Sequence, residues 1–327
     1  MKFSRRRFLS LVASAGSLSA FARGARAQVY PSRPLTLIVP FAAGGPTDTI
    51  ARIVAEGMRA SLGQPIIIEN VGGADGSIAV GRAARAAPDG YTISIGNVAT
   101  HVLNAAAYAL SYDLLNDLEA ISRLTDAPAF IDTKLSLPVR DLKDLIVWLK
   151  ANPDKASAGV FATWGRLFGA YFQSSTDTRI RFVPYRGAAP AMQDLVAGQI
   201  DLMFDQAGNT LAQLRNNNIK VLAVAATKRH VLAPDIPTMD EAGVPGFTLS
   251  VWHGMWAPKG TPKDIIAKLN AAIVTALANP VLQQRLIALG QEIPPRDQQT
   301  PEALSAYQKA EAEKWWPLIK AANIKGE

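Results

Sequence analysis

The chain has 327 residues, 49% of them hydrophobic, and contains no cysteine. That length predicts about two domains with packed cores, and the lack of cysteine excludes disulfides, thiol catalysis and thiolate metal sites. The net charge of +7 arises mainly from residues 1–27, because the rest of the chain has 28 basic and 27 acidic residues. Without a basic stripe, nucleic acid is excluded as a partner.

Residues 1–27 have the features of a cleaved export signal. The segment SRRRFLS contains a twin arginine and is followed by an apolar stretch diluted with serine and glycine, then by A-R-A before Gln28. This pattern is typical of the twin-arginine export route. The alternative, a membrane anchor, is disfavoured because the apolar run is roughly 14 residues and a span needs about 20. We therefore expect a mature protein that begins near Gln28 and is soluble in the periplasm.

Short apolar runs alternate with helical patterns from residue 33 onward, which indicates βαβ units and a largely parallel sheet. In the first half, the pattern predicts strands at 35–41, 65–70 and 91–97 and helices at 49–63, 77–90 and from 98. In the second half, it predicts a strand-like run AFIDTKLSLPV, a helix in DLKDLIVWLKANPD, a βα series over 156–227, a strand SVWHGMWAP and three C-terminal helices.

This order of elements predicts an α/β fold with two lobes. We expect the chain to cross between the lobes near 125–138 and to return near 247–256. The first lobe is then 28–128 together with 253–327, and the second lobe is 129–252.

The sequence contains no convincing catalytic constellation. No serine lies in a G-x-S-x-G elbow. The NVGGADGS turn has neither the G-x-G-x-x-G spacing nor the G-K-[ST] ending of a phosphate loop. His101, His230 and His253 are far apart and form no metal-binding spacing. We expect no cofactor, no metal and no enzymatic activity.

Six turns of small residues follow predicted strands: FAAGGPTD, NVGGADGS and NVATH in the first half, and FATWGR, YRGAAPA and FDQAGN in the second. Each leads into a helix, whose N-terminal N–H groups favour anions. In a parallel sheet such turns gather at one edge, where ligands bind. The alternative is that they are ordinary turns of an α/β protein, with Thr47 and Asp48 only capping a helix. Six turns together favour a cleft for a small acid.

Several longer motifs resemble a known family. PFAAGGPTD, ENVGGADGSIA, PDGYTI, VPYRGAAPAMQDLVAGQIDLMFD, IPTMDEAGVPGF, the W-x-x-x-APKGTP stretch and the late E-A-E-K-W occur in one order across nearly all of 30–325. The chain is similar to the Bug family, the extracytoplasmic solute receptors of tripartite tricarboxylate transporters. The resemblance implies a two-lobed periplasmic-binding-protein fold, of the type II-like flytrap kind, with a ligand cleft between the lobes.

The resemblance also implies where the ligand binds. The first two glycine-rich turns would hold a carboxylate through backbone groups and water, and the third turn and the second lobe would complete the site. The implied first-lobe residues are Phe41, Ala42, Gly44, Gly45, Thr47, Asp48, Asn70, Gly73, Ala74, Asp75, Gly76, Asn97, Thr100 and His101. The implied second-lobe residues are Thr163, Trp164, Tyr185, Arg186, Gly187 and Asp205.

Two departures from the family pattern bear on selectivity. Asp75 stands where a glycine is usual, so it either repels a ligand carboxylate, points to solvent, or selects a ligand with a positive group or fewer negative charges. FATWGR adds Trp164 and Arg166 to a turn that is usually small. Trp164 either stacks on an aromatic acid or packs under its loop, and Arg166 either meets a second carboxylate or lies in solvent. Trp315 and Trp316 are expected to pack the last helix.

The expected function is capture of a small organic acid, a di- or tricarboxylate or an aromatic carboxylate, for the membrane permease subunits of a tripartite transporter. We expect a monomer. Two alternatives remain open at this point: an exported sensory binding protein, and a periplasmic hydrolase or isomerase that uses the same cleft.

Overall fold

The computed structural model describes residues 30–326, so the predicted export signal and its cleavage site lie outside the described residues. The strands are β1 (Leu35–Val39), β2 (Ile66–Asn70), β3 (Thr92–Asn97), β4 (Leu118–Lys134), β5 (Ser157–Phe161), β6 (Arg181–Tyr185), β7 (Leu202–Gln206), β8 (Ile219–Val224) and β9 (Ser250–Pro258). The helices are α1 (Pro46–Leu62), α2 (Ser77–Ala84), α3 (Asn104–Ala107), α4 (Leu142–Ala151), α5 (Ala162–Thr176), α6 (Ala188–Val196), α7 (Ala207–Arg215), α8 (Lys263–Leu277), α9 (Pro280–Ala288) and α10 (Pro301–Ala321).

Local sequence explains the limits of α1, the first helix after β1. Pro46 occupies the first helical turn, where its missing N–H costs nothing. Gly63 ends the helix with φ 68°, and its N–H bonds the Arg59 carbonyl. Between them, Ile50 and Met58 lie on the buried face of the helix, which packs against α8.

Two predicted helices differ from the structure. The helix predicted over 77–90 ends at Ala84, and Pro88 in any case keeps Ala87 out of the helical region. The helix predicted from 98 starts as one wide π turn, Ala99–Leu103, before α3 begins.

The strands form two sheets that share β4. The first has the order β2-β1-β3-β9-β4, and the second has the order β8-β4-β7-β5-β6. Within β4, the segment Leu118–Pro128 pairs with β9, and the segment from Ala129 pairs with β7. The strands β1, β2 and β3 are parallel, as are β5, β6 and β7. This arrangement confirms the two-lobed α/β fold.

The pairing of β4 changes at Pro128 and Ala129, inside the predicted crossing. On the return, β9 already pairs with β4 from Ser250, ahead of the predicted boundary at residue 253. The division into 28–128 with 253–327 and 129–252 stays a prediction.

The last helix joins the lobes. Trp315 of α10 is buried and meets Tyr171 of α5 edge to face, with ring centroids 5.3 Å apart. Trp316 donates its indole N–H to the carbonyl of Val102 at 2.8 Å. Both side chains therefore pack the helix, as the sequence predicts.

Within residues 30–326 no single helix is long and apolar enough to cross a membrane, although α8 and α9, bent by 75°, meet that requirement when counted together.

Candidate functional site

A cavity of about 640 Å³ lies where the six parallel strands end. Each of the six turns predicted from the sequence contributes at least one lining residue. The predicted residues in the lining are Phe41, Ala42, Gly44, Gly45, Thr47, Asp75, Asn97, Trp164, Gly187 and Asp205. The predicted residues outside the lining are Asp48, Asn70, Gly73, Ala74, Gly76, Thr100, His101, Thr163, Tyr185 and Arg186.

Asp48 stabilises the conformation of the first turn through hydrogen bonds. Its buried carboxylate accepts hydrogen bonds from the Gly44 N–H at 2.8 Å, from Arg52 Nε at 2.9 Å and from Asn70 Nδ2 at 2.9 Å. Asn70 also donates to the Phe41 carbonyl at 2.9 Å, so it ties the second turn to the first. Burial alone would raise the pKa of Asp48, but these hydrogen bonds outweigh it and lower the pKa to about 2.

Asp75 reaches across to the second lobe. It has φ 48° and follows Ala74 with φ 46°, a backbone conformation that favours glycine and that aspartate tolerates better than most residues. Its carboxylate accepts a hydrogen bond from Thr163 Oγ1 at 3.2 Å, at the start of α5. Asp75 therefore faces the cleft and not solvent, and whether it repels a carboxylate or selects another ligand stays open.

The third turn places Asn97 and Ala99 in the lining, but neither Thr100 nor His101. The Thr100 hydroxyl is turned back onto this turn and accepts a hydrogen bond from the Asn97 N–H at 3.0 Å. The His101 ring is fully buried and stacks on Trp256 with ring centroids 3.7 Å apart. Burial lowers the pKa of His101 to about 3, so the ring is neutral.

The close approach of His101 to β3 gives a prediction for Gly96. A Cβ at this position would overlap the His101 ring and meet Thr100 Oγ1 at 2.7 Å. We expect Gly96→Ala to lower the free energy of unfolding by about 2–3 kcal/mol, the usual cost of overpacking a filled core, as measured by chemical denaturation. Gly72→Ala is the control, because nothing lies within 4 Å of its added Cβ. Equal stability of the two variants would contradict this packing.

Aromatic side chains form one wall of the cavity. Phe41, Phe161 and Trp164 are all in the lining. Trp164 is only 3% exposed and meets Phe168 edge to face at 5.8 Å. It therefore packs under its loop, which is one of the two alternatives given by the sequence, and it also borders the cavity. Its indole N–H is buried and has no hydrogen-bond partner within the described part of the chain.

The other basic and phenolic candidates of the second lobe lie outside the lining. Arg166 donates to the Lys325 carbonyl at 3.3 Å and lines a separate groove of about 280 Å³. Tyr185 donates its hydroxyl to Asp194 at 2.6 Å. Arg186 is exposed.

Asp205 is the most perturbed acid in the lining. It is 1% exposed, and its Oδ1 accepts hydrogen bonds from the Gln206 N–H at 2.7 Å and from Asn209 Nδ2 at 3.4 Å. Its Oδ2 is buried and has no hydrogen-bond partner among residues 30–326. Burial raises the pKa of Asp205 to about 7, since those hydrogen bonds only partly offset the lost solvation.

Six lining residues lie outside the six predicted turns: Thr49, Ile50, Val251, His253, Leu289 and Gln291. His253 lies in β9 with Thr47 Oγ1 at 3.2 Å from its Nε2 and Thr125 Oγ1 at 3.3 Å from its Nδ1. A histidine inside the apolar strand SVWHGMWAP was an available signal. Leu289 and Gln291 follow α9, and their sequence context carries no comparable signal.

Uncapped helix starts supply backbone donors at the cavity. The first turns of α1, α5, α6 and α7 begin at this edge, and none of these helices is capped by a side chain. Such helix starts present free N–H groups to an anion. Among the described residues that line the cavity, none is lysine or arginine. Residues 30–326 also contain no group of three or more His, Cys, Asp or Glu that could hold a metal ion.

Comparison with known proteins assigns the family. The model of the tripartite tricarboxylate transporter family receptor matches residues 50–324. The chain belongs to this receptor family. The structure of the periplasmic binding protein BugD is 40% identical to this receptor, with a TM-score of 0.77, covering 90% of this chain and 99% of BugD. The Bug-family resemblance predicted from the sequence is therefore confirmed.

Two related structures contain ligands. MatC from Rhodopseudomonas palustris with bound malate is 36% identical to this receptor, with a TM-score of 0.78, covering 89% of this chain and 100% of MatC. The R. palustris protein Rpa4515 with adipate is 33% identical, with a TM-score of 0.80, covering 90% of this chain and 99% of that protein. The family of this receptor thus includes proteins that bind small carboxylates.

Proposed function

We propose that this receptor captures a small organic acid in the cavity between its lobes and delivers it, chemically unchanged, to the membrane permease of a tripartite tricarboxylate transporter. The observation that carries the proposal is the convergence of six strand-to-helix turns, three from each lobe, on one cavity. A ligand held by turns from both lobes binds the closed form better than the open form, so it shifts the population toward closure.

The chemistry of the first-lobe turns supports a carboxylate at that end. Gly44 and Gly45 leave the backbone bare at the start of α1, whose N-terminus carries positive partial charge. Asp48 is turned away, because its oxygens are engaged by Gly44, Arg52 and Asn70. The bound malate of MatC and the adipate of Rpa4515 are acids of this kind.

We propose transport rather than catalysis, and the state of the lining histidine supports this. The lining histidine, His253, has a pKa lowered to about 3 by burial and lies between two threonines. A base of that pKa is a poor proton acceptor at neutral pH.

We further propose that the receptor works in the periplasm as a monomer after export by the twin-arginine route.

A thermal-shift screen with mass analysis tests the proposal. Purified receptor is heated with each member of a panel of mono-, di- and aromatic carboxylates. The recovered acids are then analysed by mass spectrometry, and their masses are compared with those of the acids added. We expect the melting temperature to rise with the concentration of one or a few acids and each acid to be recovered intact. No shift with any acid, or conversion of one into a product, would contradict the proposal.

A further inference from the structure

A hydrogen bond at the edge of the cavity joins the two lobes. Asp75 lies in the turn after β2 of the first lobe, and Thr163 lies in the first turn of α5 in the second lobe. The Thr163 hydroxyl donates to Asp75 Oδ2 at 3.2 Å. The bond exists only while these two turns lie together, so a motion that separates the lobes at this point breaks it.

Asp75 is held in position by contacts within the first lobe. Asn104 Nδ2 donates to the Asp75 carbonyl at 3.0 Å, and the Tyr108 hydroxyl donates to the Asp75 carboxylate. Burial and this carboxylate raise the pKa of Tyr108 to about 12, so the phenol stays protonated and acts as a donor. A carboxylate that is already fixed loses little conformational freedom when the second lobe meets it, which favours the bond between the lobes.

The start of α5 favours a negative charge at this place. Phe161, the residue that precedes the helix, provides no side-chain cap, and the first N–H groups of a helix carry positive partial charge. The Asp75 carboxylate meets this helix at Thr163, in the first turn. The charge of the carboxylate is therefore stabilised by the helix start as well as by the threonine hydroxyl.

The backbone of the Asp75 turn fits glycine better than aspartate. Ala74 has φ 46° and Asp75 has φ 48°, which is the left-handed region that most residues avoid. Glycine adopts this conformation readily, but it has no carboxylate to offer to α5. The aspartate thus gives up backbone comfort for a contact with the second lobe.

We propose that Asp75 and Thr163 form a latch that holds the two lobes together in the ligand-free receptor. Closure in a receptor without such a contact depends on the ligand, which shifts the population by binding both lobes. Here a part of that shift is built into the chain. A hydrogen bond to a charged group is strong enough to change the ratio of open to closed receptor by about tenfold. The latch acts in the absence of any acid, so it goes beyond ligand capture.

The distance between spin labels on the two lobes tests the latch. The chain contains no cysteine, so Ile67→Cys and Arg181→Cys introduce one label on each lobe. Both positions are exposed, lie outside the cavity lining and belong to the outer strands β2 and β6. Pulsed electron paramagnetic resonance of the dialysed, ligand-free receptor gives the open and closed populations. We expect Thr163→Val, which removes the hydroxyl and keeps the side-chain shape, to raise the ratio of open to closed receptor about tenfold.

Thr210→Val is the matched control, because the Thr210 hydroxyl donates to Asp132 at 2.6 Å within the second lobe. The control should keep the label distances of the wild type. Asp75→Gly removes the other partner of the latch and should open the receptor as Thr163→Val does. The double variant should open it no further than Asp75→Gly alone, because the bond is already absent.

Three results would overturn the latch. They are a wild-type receptor that is mainly open without ligand, unchanged label distances in both Thr163→Val and Asp75→Gly, and equal opening in Thr210→Val. None of them bears on acid binding, which the thermal-shift screen measures separately, so the latch and the receptor function can fail independently.

Discussion

Asp48→Ala is expected to lower the free energy of unfolding by about 2–4 kcal/mol and to weaken acid binding at least tenfold. The side chain is 1% exposed and accepts from Gly44, Arg52 and Asn70. Its removal takes away three hydrogen bonds to a buried carboxylate, and a hydrogen bond to a charged group contributes about 1.5–3 kcal/mol. The binding loss has a different origin, since the first turn loses the contact that fixes Gly44 and its N–H direction.

Asp144→Ala is the matched control for this change. Asp144 also pairs with an arginine four residues away, Arg140, but that arginine side chain is 86% exposed. A surface pair of this kind contributes about 0–1 kcal/mol, so we expect a small loss of stability and unchanged binding. Chemical denaturation and calorimetric titration measure the two effects. Comparable losses of stability and of acid affinity in both variants would contradict a specific role of Asp48 in fixing the first turn.

Asp205→Asn is expected to stabilise the ligand-free receptor at about pH 8 by up to about 4 kcal/mol and to change its stability little at about pH 4. The folded pKa of Asp205 is raised to about 7 by burial, above the ordinary value of 3.8. Between these values the folded state holds a proton that the unfolded state has released. Stability from this group is therefore complete below about pH 4 and is lost as the pH rises through 7. Asparagine does not ionise, so the variant keeps this stability as the pH rises.

The measurement is the difference in free energy of unfolding between wild type and variant across pH 4–8. Taking the difference removes the opposite trend of His101 and His253, whose lowered pKa values reduce stability as the pH falls. Asp177→Asn, at an exposed aspartate outside the lining, serves as the control and should give a difference near zero at every pH. An Asp205→Asn difference that is the same at pH 4 and pH 8 would contradict the buried, ionisable state of Asp205.

Much of the fold and the position of the cavity could be predicted from local patterns. The run IVPFAAGGPTD marks β1 and the start of α1, because an apolar β-branched run followed by glycine and proline is a strong strand-to-helix signal. The position of the turns followed from parallel-sheet geometry, which brings the strand ends together. These are properties of short segments, so a single sequence carries them.

The remaining features depend on contacts between distant segments. The bond between Asp75 and Thr163 joins the two lobes, and no local pattern at either residue indicates it. His101 was a candidate donor at a helix start, yet Gly96 and Trp256 enclose its ring. Gln291 reaches the cavity because the chain after α9 returns to β4, where Thr125 donates to Gln291 Oε1. Side-chain direction at the site therefore depends on packing that the sequence does not display.

The central claim is that the cavity between the lobes binds a small acid, and calorimetric titration of a cavity-filling variant tests it most directly. A Cβ on Gly45 makes only an ordinary contact at 3.5 Å with the Ala42 carbonyl, and Gly45 lines the cavity, so we expect Gly45→Leu to fold and to reduce the space for a ligand. Gly72→Leu adds the same side chain in open space as the control. We predict that the acid found in the thermal screen binds the wild type and Gly72→Leu one to one and binds Gly45→Leu at least tenfold more weakly. Equal affinity for all three proteins would place the acid elsewhere and contradict the account.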